Sequence, residues 1–131
     1  MAKYVCILLM LFAMPALVSS AEENALVAET NGVQRVEITA GSYFFKPEYI
    51  IVKAGVPVEL AIRNESRLVP HNFVMKSPEA GMEFSEKLSD SLTIVRFTPA
   101  LPGKYTFYCD KKLLFFKSHR DRGMEGVIEV R

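Results

Sequence analysis

No apolar run in this chain reaches the roughly 20 residues that a membrane-spanning helix needs. The one candidate, residues 4–18, is interrupted at Pro15, preceded by a single cation, Lys3, and followed by Ser19-Ser20-Ala21 and the acidic pair Glu22-Glu23. A basic start, an apolar middle and small residues at the cut make a secretory signal. Residues 1–20 are therefore expected to be removed, by cleavage after Ser20 or one residue later after Ala21. Cysteine is nearly lacking too. Of the two cysteines, Cys6 lies inside the apolar run and leaves with it, so Cys109 is the only thiol of the exported chain and no internal disulfide can form. A bound metal, burial or an intermolecular disulfide would each protect it.

Excess charge of one sign is missing as well. Without Lys3 the cations and anions balance at 15 each, which argues against nucleic-acid binding through bulk charge. No linker, repeat or low-complexity segment divides the chain. Residues 21–33 read as an N-terminal tail or loop and 34–131 as one domain with one core.

What the chain does contain is alternation. Val36 and Ile38 alternate with Arg35, Glu37 and Thr39, and Val58, Leu60 and Ile62 alternate with Glu59, Ala61 and Arg63, the period of half-buried strands. Extended character returns at Tyr49-Ile50-Ile51-Val52, residues 71–76, 92–97, 104–109 and 126–130, with Gly and Pro between the runs. Residues 78–90 read as a short helix or an ordered loop. Six to eight short strands with almost no helix predict an all-β fold, an antiparallel β-sandwich, in which loops bring distant residues together at one end.

Chemistry concentrates in the last quarter. Cys109, His119 and Met124 follow one another there, and His71 stands upstream. One thiolate, two imidazoles and one thioether form a donor set suited to copper, the trigonal His₂Cys site with a weak axial Met being the blue-copper arrangement. Singly, each has a plain structural reading: a surface histidine after a turn, a solvated histidine in a basic stretch, a small buried hydrophobe, and core filler.

Three blocks carry a resemblance: Pro70-His71-Asn72-Phe73; Pro102-Gly103-Lys104-Tyr105-Thr106-Phe107-Tyr108-Cys109; and His119 followed by Gly123-Met124-Glu125-Gly126-Val127-Ile128. In order and context the chain resembles the cupredoxins, particularly the plastocyanin and amicyanin type. The resemblance implies a Greek-key sandwich and one copper ion, of type 1 or a distorted variant, held by His71, Cys109, His119 and Met124. Asn72 would hydrogen-bond across to the Cys109 loop and tune the site. Met75 is a second thioether, ranked behind Met124. Glu79, Met82, Glu83 and Glu86 are either a weaker site for Cu(I) or Fe(II) or, the preferred reading, a solvated segment.

The chain departs from the family between Cys109 and His119, where nine residues intervene instead of a few. A long ligand loop needs an anchor, and Leu113, Leu114, Phe115 and Phe116 are the expected one. Either they pack over the end of the sandwich, or they stay exposed as a docking patch ringed by Lys111, Lys112, Lys117, Arg120 and Arg122 for an acidic partner. A mixture of the two is expected, with the basic rim as the partner surface. The function these features imply is a monomeric electron carrier, exported to a bacterial periplasm and with no stable membrane span. Its expected partner is a redox protein such as a c-type cytochrome or a membrane oxidoreductase. A copper chaperone or store, and a copper-dependent ferroxidase accessory, are the rival readings.

Overall fold

The computed structural model describes residues 24–131. The expected signal at 1–20, Cys6 and the first residues of the expected tail lie outside the described residues. Eleven strands are formed among the described residues: β1 (Asn24–Leu26), β2 (Glu29–Thr30), β3 (Val33–Gly41), β4 (Phe44–Lys46), β5 (Tyr49–Val52), β6 (Val58–Asn64), β7 (His71–Ser77), β8 (Met82–Leu88), β9 (Thr93–Phe97), β10 (Gly103–Tyr108) and β11 (Glu125–Val130). They build two sheets, ordered β1-β5-β11-β10-β7-β8 and β2-β3-β6-β9, with β4 pairing the far end of β3. Among the described residues the only helical pieces are two 3₁₀ turns, Pro78–Ala80 and Arg120–Arg122.

The expected β-sandwich is present, with one refinement: its sheets are mixed, not purely antiparallel. β5 runs parallel to both β1 and β11, and β3 runs parallel to β6. Alternation reports which face of a strand is buried but not which way its neighbour runs, so this pairing is invisible to periodicity. The segment read as a tail supplies β1 and β2; β1 covers the edge of β5 that would otherwise be left unpaired.

The segment 78–90, read as a short helix or an ordered loop, is one 3₁₀ turn followed by β8 over Met82–Leu88. Met82, Phe84 and Leu88 face inward from β8 while Glu83, Ser85, Glu86 and Lys87 stay exposed, as suits an edge strand that must not pair with a second molecule. Between the sheets, Ile38, Ile50, Leu60, Ile62, Met75 and Ile128 are fully enclosed. At the centre Phe73 stacks on Phe107 at 4.8 Å between ring centres, with Phe45 edge-on to both. One buried polar residue went unnoticed in the sequence. Gln34 takes the first inward position of β3, donates from Nε2 to the Lys53 and Val56 carbonyls at 3.1 Å each, and accepts from the Lys53 N–H at 2.7 Å. It thus ties the 53–57 turn to the sheet with its amide satisfied.

Candidate metal centre

His71 opens β7, Cys109 follows the last residue of β10, and Met124 precedes the first residue of β11. Because these strands are neighbours, three of the four residues arrive at one end of one sheet. The Cys109 N–H donates to the Met124 carbonyl at 3.1 Å, extending the ladder past its ends. Period-2 alternation links the site to the core: His71 shares a face with Phe73, and Cys109 with Phe107, so the stacked rings form its floor.

His119 comes from the long loop, which is held by hydrogen bonds. Its N–H donates to the Lys111 carbonyl at 2.8 Å, and its own carbonyl accepts from Met124 N–H at 3.0 Å. Ser118 and Asp121 form a reciprocal pair across it: Ser118 Oγ donates to Asp121 Oδ2 at 2.7 Å, and Asp121 N–H donates back to Ser118 Oγ at 3.1 Å. At the other end of the loop Asn72 Nδ2 donates to Asp110 Oδ1 at 2.7 Å, and Asp110 N–H donates to Asn72 Oδ1 at 3.0 Å. Asn72 also points its backbone N–H at Cys109 Sγ, 3.5 Å away.

The expectation that residues 113–116 anchor this loop by packing is corrected. Leu113, Leu114, Phe115 and Phe116 are 65%, 75%, 100% and 59% exposed. Hydrogen bonding at 110, 118, 119 and 121 fixes the two ends of the loop, which leaves its middle free to project. Lys112, Lys117, Arg120 and Arg122 are exposed or partly exposed around it, and Lys111 is half-buried.

The donor atoms converge. His71 Nδ1 and His119 Nδ1 lie 3.2 Å apart, and Cys109 Sγ lies 3.8 Å from the first and 3.4 Å from the second. A point equidistant from all three lies about 2.0 Å from each, close to ordinary metal bonds of about 2.0–2.1 Å to imidazole nitrogen and about 2.3 Å to thiolate sulfur. The residues therefore fit a soft or borderline ion, and the thiolate with two imidazoles and a thioether selects copper. His71, Cys109 and Met124 are fully buried and His119 is 5% exposed. His71, Cys109 and His119 are the one such gathering of His, Cys, Asp and Glu side chains among the described residues. Glu79, Glu83 and Glu86 are exposed and join no such group, while Met82 and Met75 are core residues.

Two features of the site carried no signal in the sequence. Tyr43 sits at a backbone φ of 66° and sets its ring edge-on to His119 at 5.1 Å, with the Arg122 guanidinium 4.7 Å above the tyrosine ring. Together they leave His119 only a sliver of surface. His71 Nε2 is buried with no hydrogen-bond partner, so the ring's polar contacts are all made by Nδ1, on the side of the site, whereas metal-binding histidines usually have a second hydrogen bond from the other nitrogen.

Burial sets the protonation of the ligands. It lowers His71 from the ordinary 6.5 to about 4, helped by the neighbouring His119, and it lowers His119, helped by Arg122. Burial raises the Cys109 thiol, as does the charge of Asp110, against the pull of the Asn72 and Lys111 N–H groups. Both imidazoles are thus neutral at pH 7 and ready to bind, and the thiol must give up a proton to do so. A consequence concerns the metal-free protein. In the unfolded chain a histidine takes up its proton near pH 6.5, in the folded chain His71 does so only near 4. The stability is complete above pH 6.5 and is lost as the pH falls toward 4, by up to about 1.4 kcal/mol per pH unit for one such group. Urea midpoints of the metal-free protein are expected to fall between pH 6.5 and 4.5, and to fall less in His71→Gln; a flat series would contradict the burial of neutral imidazoles.

The sequence profile of the cupredoxin-like domain matches residues 6–124. No curated protein sequence matches the chain. Among solved structures, the metal-binding domain of the Streptococcus pneumoniae D39 Cu(I)-exporting P-type ATPase CopA, determined with Cu(I), superposes with a TM-score of 0.66 at 20% identity, over 84% of this chain and 97% of that one. Auracyanin A, a "blue" copper protein from Chloroflexus aurantiacus, gives 0.55 at 20% identity, over 76% and 100%. A chain of a heme-copper terminal oxidase dimer gives 0.60 at 17% identity, over 90% and 79%. At these identities the likeness is one of fold.

Proposed function

The chain belongs to the cupredoxin-like domain family, and on that premise we propose that it is an electron carrier, holding one copper ion with His71, Cys109, His119 and Met124. The supporting observation is the buried convergence of two imidazole nitrogens and one thiolate sulfur at bonding distance from a common point. Bound copper would supply a one-electron couple. The protein's part is to keep the donors fixed while the charge changes. Strand ends hold His71, Cys109 and Met124, and the backbone hydrogen bonds of His119 hold the fourth, so little has to reorganise. A substrate-oxidising site needs an open coordination position. Here the donors are enclosed, and the depression beside them, lined by Tyr43, Leu113, Phe116, Lys117, His119 and Arg122, reaches only one of the four ligands, which favours a carrier over an enzyme.

In this reading the protein is exported as a monomer to a bacterial periplasm, its leader being residues 1–20. Among the described residues no helix is long and apolar enough to cross a membrane. Electrons pass at the His119 edge, through Tyr43, where Arg120 and Arg122 present positive charge to an acidic redox protein, a c-type cytochrome or a membrane oxidoreductase. The fold shared with a chain of a terminal oxidase dimer supports a respiratory partner.

The test is spectroscopic. Protein loaded with one equivalent of Cu(II) is expected to show an intense visible thiolate-to-copper band that bleaches on reduction and returns on reoxidation. A colourless protein that binds only Cu(I) would make it a chaperone or store, the reading that the likeness to a Cu(I) exporter domain would then support. Oxidation of Fe(II) beyond one equivalent would make it a ferroxidase.

A further inference from the structure

The tip of the long loop is the feature the copper site does not use. In most folded proteins a run of two leucines and two phenylalanines is interior, yet here Phe115 is wholly exposed and Leu114 three-quarters so. The turn that presents them is formed by the Phe116 N–H donating to the Leu113 carbonyl at 3.0 Å, with Leu114 at a φ of 47°. Cations flank the tip on both sides, Lys111 and Lys112 before it and Lys117 after it, and none of the three makes an ion pair among the described residues. The two acids of the loop are already engaged, Asp110 by Asn72 and Asp121 by Ser118. Those partners are neutral, so both acids keep their charge, but residues 110–122 still carry five cations against two acids, and a formally balanced protein has gathered an excess of positive charge around one projecting apolar turn.

We propose that this tip inserts into the interface of an anionic phospholipid surface, with Leu114 and Phe115 among the acyl chains and the three lysines at the lipid phosphates. Leu114 and Phe115 project side by side at 75% and 100% exposure with lysines before and after them, and an apolar tip collared by cations matches an interface that is anionic at its surface and apolar beneath. Lysine stems are long enough to keep their ammonium groups at phosphate level while the residues between them go deeper, and clustered lysines draw the protein to anionic lipid. The arginines are engaged at the base of the tip: Arg120 lies over the Tyr108 ring at 4.3 Å and pairs with Glu125 at 2.9 Å, and Arg122 lies over Tyr43, beside Leu113, Phe116 and Lys117. His119 lies at the base of the tip, in one depression with Leu113, Phe116 and Lys117, so insertion of Leu114 and Phe115 brings the redox edge to the membrane surface, where the carrier searches for its partner in two dimensions.

Vesicle binding reads this without reference to copper, so its failure leaves the carrier assignment standing and the visible band unchanged. The chain has no tryptophan, which makes Phe115→Trp a clean probe. Protein isolated from the exporting host is mixed with phosphatidylcholine vesicles, with or without about a quarter phosphatidylglycerol. The expected result is binding to the anionic vesicles only, weakened by salt, with a blue shift in the emission of the introduced indole and a loss of about tenfold or more when Leu114 and Phe115 are both changed to serine. Any contribution of the N-terminal run is common to both proteins and cancels in that comparison. Absence of binding, binding that the serine pair leaves unchanged, or a serine pair that instead slows reduction by an acidic cytochrome in lipid-free solution would each overturn the proposal, the last by giving the tip to a protein partner.

Discussion

Cys109→Ser is expected to abolish the visible band and to weaken copper binding by more than about a hundredfold, beyond the 10–100-fold that loss of a ligand's supporting hydrogen bond costs. Serine has nearly the volume of cysteine, but its hydroxyl keeps its proton at pH 7 and its oxygen is a hard donor, so both the charge and the softness of the site disappear. The fold should survive. Sγ is buried and faces two backbone donors, the Asn72 N–H at 3.5 Å and the Lys111 N–H, which an Oγ can also receive. The metal-free variant is therefore expected to melt within a few degrees of the parent. The difference appears on adding copper. A ligand at 100 times its Kd stabilises by about 2.7 kcal/mol, roughly 10 °C or more for a domain of this size. The parent should gain that and the variant should not; a retained gain would remove Cys109 from the ligand set.

Why the ligands were legible and their surroundings were not follows from where each resides. His71, Cys109 and Met124 were legible from their donor chemistry and from the blocks around them, and they sit at the ends of β7, β10 and β11, although β7 is buried on both faces and shows no alternation. Loop residues obey no period. The run Leu113 to Phe116 looks like core by composition, but hydrogen bonds at Asp110, Ser118 and His119 decide the path of the loop and carry the run outward. The alternation of Met82, Phe84 and Leu88 was present but hidden, because the charged outer face of an edge strand resembles that of an amphipathic helix. Tyr43 left no trace at all. It covers His119 only because β3 and β4 turn back beside the site, a tertiary fact that its neighbours Ser42 and Phe44 do not encode. Gln34 likewise reads as a solvated polar residue until the 53–57 turn is seen to close over it.

Gly126→Ala is expected to be the most damaging single-methyl change in the frame of the site. Its backbone is not in the left-handed region, so on chain entropy alone alanine would stabilise by about 0.4–1 kcal/mol. Packing reverses the sign. Gly126 faces Phe107 across the β10–β11 ladder, and an added Cβ would lie 2.3 Å from Phe107 Cζ and 2.4 Å from the Glu48 carbonyl oxygen. Neither neighbour can yield. Phe107 is fully buried and pinned between Phe73 and Phe45, while the Glu48 carbonyl accepts the Val127 N–H at 2.7 Å where β5 meets β11. Overpacking ordinarily costs about 1–3 kcal/mol and more where backbone must move, so a loss of about 3 kcal/mol or more is expected, on the order of 10–20 °C in Tm. The strain also points at the metal. Phe107 stands two residues before Cys109, and Gly126 two after Met124, so relief by shifting either strand moves a ligand. Thermal unfolding of the metal-free protein reads the first effect, and a displaced or weakened visible band reads the second. Gly126→Ala with an unchanged Tm would mean that the floor of aromatic rings gives way more easily than its packing implies, and that the long His119 loop, rather than the strand frame beneath it, carries the rigidity on which electron transfer depends.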